Sequence, residues 1–353
     1  MAAWMGSGRA DSAPPRPNGV TAMLGSTILL ATLFAQFDIP PTVTPQEFQA
    51  WFDAADDGDL VVPDAVVQGA RRFRYVFVGG FANEQMKGYF VQNTKDLHAM
   101  GVPRSSIHMI FPSSRETIEE SAQSIREAFF TISSRGPERI VVIAHSRGAC
   151  DALAFALTEP EFIRDHVEAL FLVQGAFGGT ALADYVVGNG PSMDNRMPAR
   201  FRIIAGVVAN LERGLIRRGH HAGLSGLTRA ESQPFWARML ADHANAIPIL
   251  APRTFFIRSE SRPSRLGRFR RAIGWYLNIY DGPNDGIVAV KDQYIPGLGT
   301  SLCILNCGHG DLTCNLTSGR SARRVRRALT QCVAMAVGRA GAEAAMAYPR
   351  QER

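Results

Sequence analysis

The stretch RIVVIAHSRGA, residues 139–149, decides how this chain folds. Its apolar centre, Ile140 to Ala144, reads as a short strand buried on both faces. The small-residue run that follows reads as a helix over 148–157, stopped before Pro160. Between them, Ala144-His145-Ser146-Arg147-Gly148 has the form small-x-Ser-x-Gly. A serine at such a corner sits on a sharp, strained turn, its hydroxyl raised above the carboxyl end of the sheet. Strand and helix pass closely there, so the flanking positions need small side chains. Ala144 stands where glycine is usual, and Gly148 keeps the helix side clear. Read alone, Ser146 is equally a helix N-cap in an ordinary strand-to-helix loop.

Outward from this corner the chain alternates regularly. Residues 73–78 (FRYVFV), 106–111 (SIHMIF), 139–144, 166–174 (HVEALFLVQ), 253–259 (RTFFIRS) and 301–306 (SLCILN) read as strands. Helices are expected over 93–100, 117–134, 148–157 and 320–337. Ile118, Ser121, Ala122, Ile125, Ala128, Phe129 and Ile132 share one stripe of the second. Short apolar strands separated by helices predict an α/β fold, a largely parallel sheet covered on both faces. Residues 181–252 break the rhythm and read as a helical insertion, with patches over 201–211 and 233–247. Thr44-Pro45-Gln46-Glu47 is a capped helix start with Phe48, Trp51 and Phe52 on one face. The acidic turn after it matches a calcium loop only in part and reads as solvated.

A nucleophilic serine needs an imidazole base and a carboxylate that fixes its tautomer. In this topology they follow in the order serine, acid, histidine. Of the eight histidines, His309 lies beyond the last acid-bearing loop, in Asn306-Cys307-Gly308-His309-Gly310-Asp311. Asp285, in Asn284-Asp285-Gly286, is the favoured acid, placed after a strand over 275–280 and a Pro-Asn turn. Asp281 is the runner-up, and Asp311 is too near His309 in sequence to orient it easily. Two backbone donors are needed for a developing oxyanion. The amide of Arg147 is one; the other is that of Phe81 in Val78-Gly79-Gly80-Phe81, with Gly80 the weaker choice. The glycine pair is not a nucleotide fingerprint, and no phosphate-binding loop motif occurs.

The order of these motifs resembles the α/β-hydrolase superfamily, and within it the bacterial triacylglycerol lipase-like serine esterases. Gly79-Gly80-Phe81 is similar to their His-Gly-hydrophobic oxyanion motif, with Gly79 in place of histidine. Residues 144–148 resemble their serine corner. Residues 175–184 (GAFGGTALAD) resemble their G-x-P-x-x-G-[ST] segment, with Phe177 in place of proline. Asp285-Gly286-Ile287-Val288 resembles their acid loop, and His309 their late histidine. The likeness spans about residues 72–340. It implies the α/β-hydrolase fold with a cap-like insertion and cleavage of carboxylic esters through an acyl-enzyme at Ser146, with no cofactor. The alternatives are another acyl bond (polyester, thioester or amide) or a binding protein on the same fold.

The expected layout is an arm or signal-like segment over 1–43, an accessory helix region over 44–70, the catalytic domain over 71–340 and a tail over 341–353. The apolar run 20–35 is short for a membrane span. It reads either as a signal or anchor or as a buried or surface element, which leaves the chain cytoplasmic, secreted or membrane-associated. Within the insertion, Phe201, Leu211, Leu215, Leu224, Phe235, Trp236, Met239 and Leu240 line an acyl pocket or form its own core. His220-His221 reads as a solvated turn.

The 353 residues are 46% hydrophobic and 20% charged, which excludes fibrous, coiled-coil and disordered classes. Net charge is +6, carried by 38 basic residues of which only Lys87, Lys95 and Lys291 are lysine. The Arg-rich runs 262–271 and 320–327 read as solvated faces or contacts to anionic lipid; no nucleic-acid motif accompanies them. Five cysteines leave at least one unpaired within a monomer, with one disulfide near the C-terminal end open to an exported chain. Cys303, Cys307, His309 and Cys314 lack the spacing of a closed zinc site. The substrate class expected is a small-molecule or lipid-like ester.

Overall fold

Six of the apolar runs become six parallel strands: β1 Arg74–Val78, β2 Ile107–Ile110, β3 Ile140–His145, β4 Val167–Val173, β5 Thr254–Glu260 and β6 Thr300–Asn306. They form one sheet in the order β2-β1-β3-β4-β5-β6, every pair parallel. The computed structural model describes residues 42–86, 88–188, 214, 219–261, 274–275, 277–279, 281–314 and 320–347. The apolar run 20–35, the patch 201–211, Leu215 and the Arg-rich run 262–271 lie outside the described residues.

Among the described residues the helices are α1 Pro45–Asp57, α2 Asp64–Ala70, α3 Val91–Ala99, α4 Ile118–Ser133, α5 Arg147–Thr158, α6 Pro160–His166, α7 Ala181–Val187, α8 His221–Ser225, α9 Arg229–Asp242, α10 Ile247–Leu250 and α11 Arg320–Ala347. Strand alternation feeds two cores. Val76, Val78, Ile140, Val142, Leu170 and Leu172 pack with α4, α5 and α6 on one face. Tyr75, Phe77, Val141, Ile143, Phe171 and Val173 pack with α1, α3 and α11 on the other. The chain runs from β1 out to β2 and returns to β3 on β1's opposite side. The strand order therefore reverses between β1 and β3, and the carboxyl ends of those two strands are where sheets of this kind place ligand sites.

The capping box at Thr44 and Glu47 starts α1, and Gly58 ends it with φ 91°. Phe48 and Phe52 enter the second core, worth about 1.5–3 kcal/mol each. Arg324 faces Asp56 and Asp57, and Arg339 pairs with Glu47 at 2.9 Å. Arg326 in the 320–327 run is buried and donates to the Cys314 carbonyl at 2.6 Å. That run is therefore not wholly a solvated face. The described insertion packs on the first core: Leu224, Phe235, Trp236 and Met239 belong to it, with Leu240 against it.

Four sequence readings need correction. Within the run 275–280, read as a strand, residues 275 and 277–279 are helical; a short apolar run does not distinguish the two by itself. His220 is buried, not solvated, with its ring edge-on to Phe81 at 5.9 Å. The terminal helix continues to Ala347, through the start of the segment read as a tail. The five cysteines are free and buried, so no disulfide forms. Among the described residues, no helix is long and apolar enough to cross a membrane.

The buried Arg147 side chain anchors the start of α5. The Arg147 guanidinium donates to the carbonyls of Glu116 (2.5 Å) and Thr117 (3.0 Å) and to Ser121 Oγ (2.9 Å). Asp151 lies one turn on, its carboxylate 3.5 Å from Arg147 Nε and without a hydrogen bond there. Burial pushes the Asp151 acid up to about 7, against the pull of Arg147 and with a push from Glu116. At 3.5 Å the attraction does not offset the loss of water.

Two predictions follow from this packing. A Cβ on Gly338 would stand 2.3 Å from the Val66 carbonyl oxygen, where α11 crosses α2. Ala favours a helix over Gly by about 1 kcal/mol, yet Gly338→Ala should lower stability by about 1–3 kcal/mol through overpacking. A raised urea midpoint would show the crossing to be loose. For Asp151, the folded chain keeps a proton that the unfolded chain releases from about pH 4 upward. Its contribution is full below the ordinary carboxylate pKa and is lost as pH rises towards about 7. Asp151→Asn should therefore flatten the fall in stability between pH 4 and 8. A wild-type minus variant difference that stays constant over that range would contradict the raised acid.

Candidate active site

Ser146 occupies the turn between β3 and α5 with φ 56° and ψ −126°. This is a left-handed conformation that costs a non-glycine residue roughly 1–3 kcal/mol. The close passage around it is visible at the glycines. A Cβ on Gly148 would lie 2.3 Å from the Gly79 carbonyl oxygen, and one on Gly80 2.9 Å from Ser146 Cβ. The loop after β1 and the corner after β3 thus meet where the strand order reverses.

The loop after β6 brings His309 to the same point. His309 Nε2 lies 2.9 Å from Ser146 Oγ, and its Nδ1 lies 2.8 Å from Asp285 Oδ2. The acid turn is locally specified. Gly286 adopts φ 95°, so the chain folds back and Asp285 Oδ1 accepts the amides of Ile287 (3.0 Å) and Val288 (2.8 Å). Gln293 Nε2 donates to Asp285 Oδ2 at 3.3 Å. The His309 backbone amide donates to the Asp285 carbonyl at 2.7 Å, fastening the two loops together. Asp285 is fully buried, and Ser146 and His309 are nearly so.

The runner-up acid is committed elsewhere. Asp281 is buried against the Arg229 guanidinium, with Lys291 Nζ at 3.9 Å. Asp311 accepts the Gly308 amide at 2.9 Å. In the loop after β1, Gly79 N donates to Ile110 O (2.9 Å), Gly80 N to Tyr89 Oη (3.0 Å) and Ala82 N to Ser114 Oγ (2.7 Å). Gly80 is therefore already used, which leaves the Phe81 amide of that run available. The Arg147 amide stands at the first turn of α5, where the helix dipole favours an anion.

Sequence reasoning missed three residues beside this group. Tyr89 Oη bonds His145 Nδ1, and His145 Nε2 meets Gln174 Oε1 at 2.9 Å. A polar residue closing the apolar run of β4 was a visible signal for Gln174, and His145 sits next to Ser146. Nothing local marks Tyr89.

Such an arrangement can raise a serine oxygen's nucleophilicity and stabilise charge on an adjacent carbonyl oxygen. No family model and no curated protein sequence matches the chain. Among solved structures, a metagenomic carboxyl esterase superposes with TM-score 0.50 and 21% identity, covering 78% of this chain and 75% of its own. A Bacillus licheniformis lipase in mature form gives 0.48 and 16%, covering 67% and 84%. A phospholipase from Legionella pneumophila gives 0.42 and 14%, covering 63% and 45%. With its strand order, two-sided helix cover and serine corner, the chain has the α/β-hydrolase fold.

Proposed function

We propose that the protein hydrolyses carboxylic esters through an acyl-enzyme on Ser146. The observation that carries this reading is the unbroken line Asp285–His309–Ser146, with contacts of 2.8 and 2.9 Å on a left-handed serine corner. His309 Nε2 takes the Ser146 proton as Oγ attacks the ester carbonyl. Asp285 holds Nδ1–H, fixing the tautomer and stabilising the imidazolium that forms. The Phe81 and Arg147 amides receive the oxyanion. His309 then protonates the departing alcohol, forming the acyl-enzyme. Water, deprotonated by His309, attacks the acyl carbon; the tetrahedral adduct collapses, the acid leaves and Ser146 regains its proton.

The chemistry of the site fits esters, including lipid-like ones, because an alcohol leaving group needs only the proton that His309 carries. The carboxyl esterase superposition supplies the same fold for this chemistry.

Ser146→Ala should abolish hydrolysis of short p-nitrophenyl esters while leaving the circular dichroism spectrum and melting unchanged. Retained turnover would remove Ser146 from the mechanism. Asp285→Asn should reduce kcat/KM by about 10⁴-fold, as expected when the tautomer is lost. Asp281→Asn should lower stability and leave turnover per folded molecule within about an order of magnitude. The reverse ranking in steady-state kinetics would reassign the acid.

A further inference from the structure

Behind Ser146 lies a buried polar chain that the ester-cleaving steps do not use. Gly80 N–H donates to Tyr89 Oη at 3.0 Å. Tyr89 Oη bonds His145 Nδ1. His145 Nε2 lies 2.9 Å from Gln174 Oε1, which also accepts the Gly310 amide at 3.0 Å. Gln174 Nε2 donates to Gly308 O at 3.1 Å and to Ser259 Oγ. Tyr89, His145 and Gln174 are all buried.

The directions of these bonds are fixed by the backbone. The Gly310 N–H can only donate and the Gly308 carbonyl can only accept, so the Gln174 amide has one orientation. Its oxygen faces His145 Nε2, which must carry the hydrogen. His145 Nδ1 then holds a lone pair and accepts from the Tyr89 hydroxyl. Burial, and next the neighbouring His309, push the His145 imidazole well below its usual range and keep it neutral. Beyond Gln174 the line continues. Ser259 N donates to Gln293 Oε1 at 2.7 Å, and Gln293 Nε2 reaches Asp285.

Polar groups in a core cost free energy unless every one is paired, and three apolar side chains would fill the space at lower cost. What this trio adds is register between loops. One end holds the amide next to Phe81, and the other holds the residues on either side of His309. Its middle is the residue before Ser146. Gln174 takes φ 50° to make these bonds, a strained value for a non-glycine residue.

We propose that Tyr89, His145 and Gln174 form one positioning unit, setting the Phe81 amide and the His309 ring against Ser146 together; this rests on the ester-hydrolase reading above. The test is a double-variant cycle of Tyr89→Phe and Gln174→Leu, read as kcat and KM on a short p-nitrophenyl ester and corrected for folded fraction. Each variant should lower kcat by about ten-fold or more, because small misplacements of reacting groups are costly, with KM little changed. The double variant should lose scarcely more than the worse single one. Losses that multiply, or an unchanged kcat in Tyr89→Phe, would overturn the proposal.

A second measurement does not depend on turnover. In ¹⁵N-histidine spectra, the His309 Nδ1–H resonance shared with Asp285 should move in Tyr89→Phe, whose ring and packing are preserved. An unmoved resonance overturns the unit. If wild-type protein cleaves no ester, the hydrolase reading fails and the resonance alone decides the unit. If Gln174→Leu does not fold, Tyr89→Phe carries both measurements.

Discussion

The whole site depends on how closely the first turn of α5 passes the loop after β1. Gly148 lies against the Gly79 carbonyl, and Gly80 is wedged between Tyr89 Oη, the His145 carbonyl and Ser146 Cβ. No side chain fits at either place. That approach forces Ser146 into a left-handed turn and lifts its hydroxyl above the sheet. Parallel pairing of β3 with β1 and β4 holds the turn on both sides. The Arg147 guanidinium, tied to the carbonyls of Glu116 and Thr117, anchors the helix that leaves it. These contacts offset the roughly 1–3 kcal/mol of backbone strain at Ser146.

The strands were legible because a parallel sheet covered on both faces demands short, continuous apolar runs. Residues 140–144 and 167–173 are short and carry β-branched or aromatic residues between turn signals, which favours strand over helix. That Ser146, Asp285 and His309 would meet was legible in their order and in the glycines beside them, which announce tight loops. The geometry places those three side chains in one line. The helical character of residues 277–279 was not legible, since their apolar content suits strand and helix alike. The burial of His220 was also hidden, because it arises from contact with Phe81, about 140 positions earlier. Tyr89 has the same character: its partners Gly80, His145 and Phe111 come from three separate loops or strands.

The charge distribution also reads differently once folded. Arginine is abundant, but several of these side chains are internal fasteners rather than a displayed basic face. Arg147 and Arg326 are buried against carbonyl oxygens. Arg339 and Arg324 remain at the surface, where they face acidic residues of α1. The guanidinium fork suits this work, since it satisfies several fixed acceptors at once. Phe48 and Phe52 of α1 and Leu329 and Val333 of α11 pack together over one face of the sheet.

The most direct measurement is mass spectrometry of the protein after reaction with a fluorophosphonate, which phosphonylates a serine oxygen activated by an adjacent imidazole. Tryptic cleavage after Arg139 and Arg147 releases residues 140–147, which contain a single serine. An acyl-enzyme mechanism at Ser146 predicts a stoichiometric adduct on that peptide, lost on heat unfolding and in His309→Ala. An unlabelled peptide from folded protein, or an adduct on another serine, would contradict it.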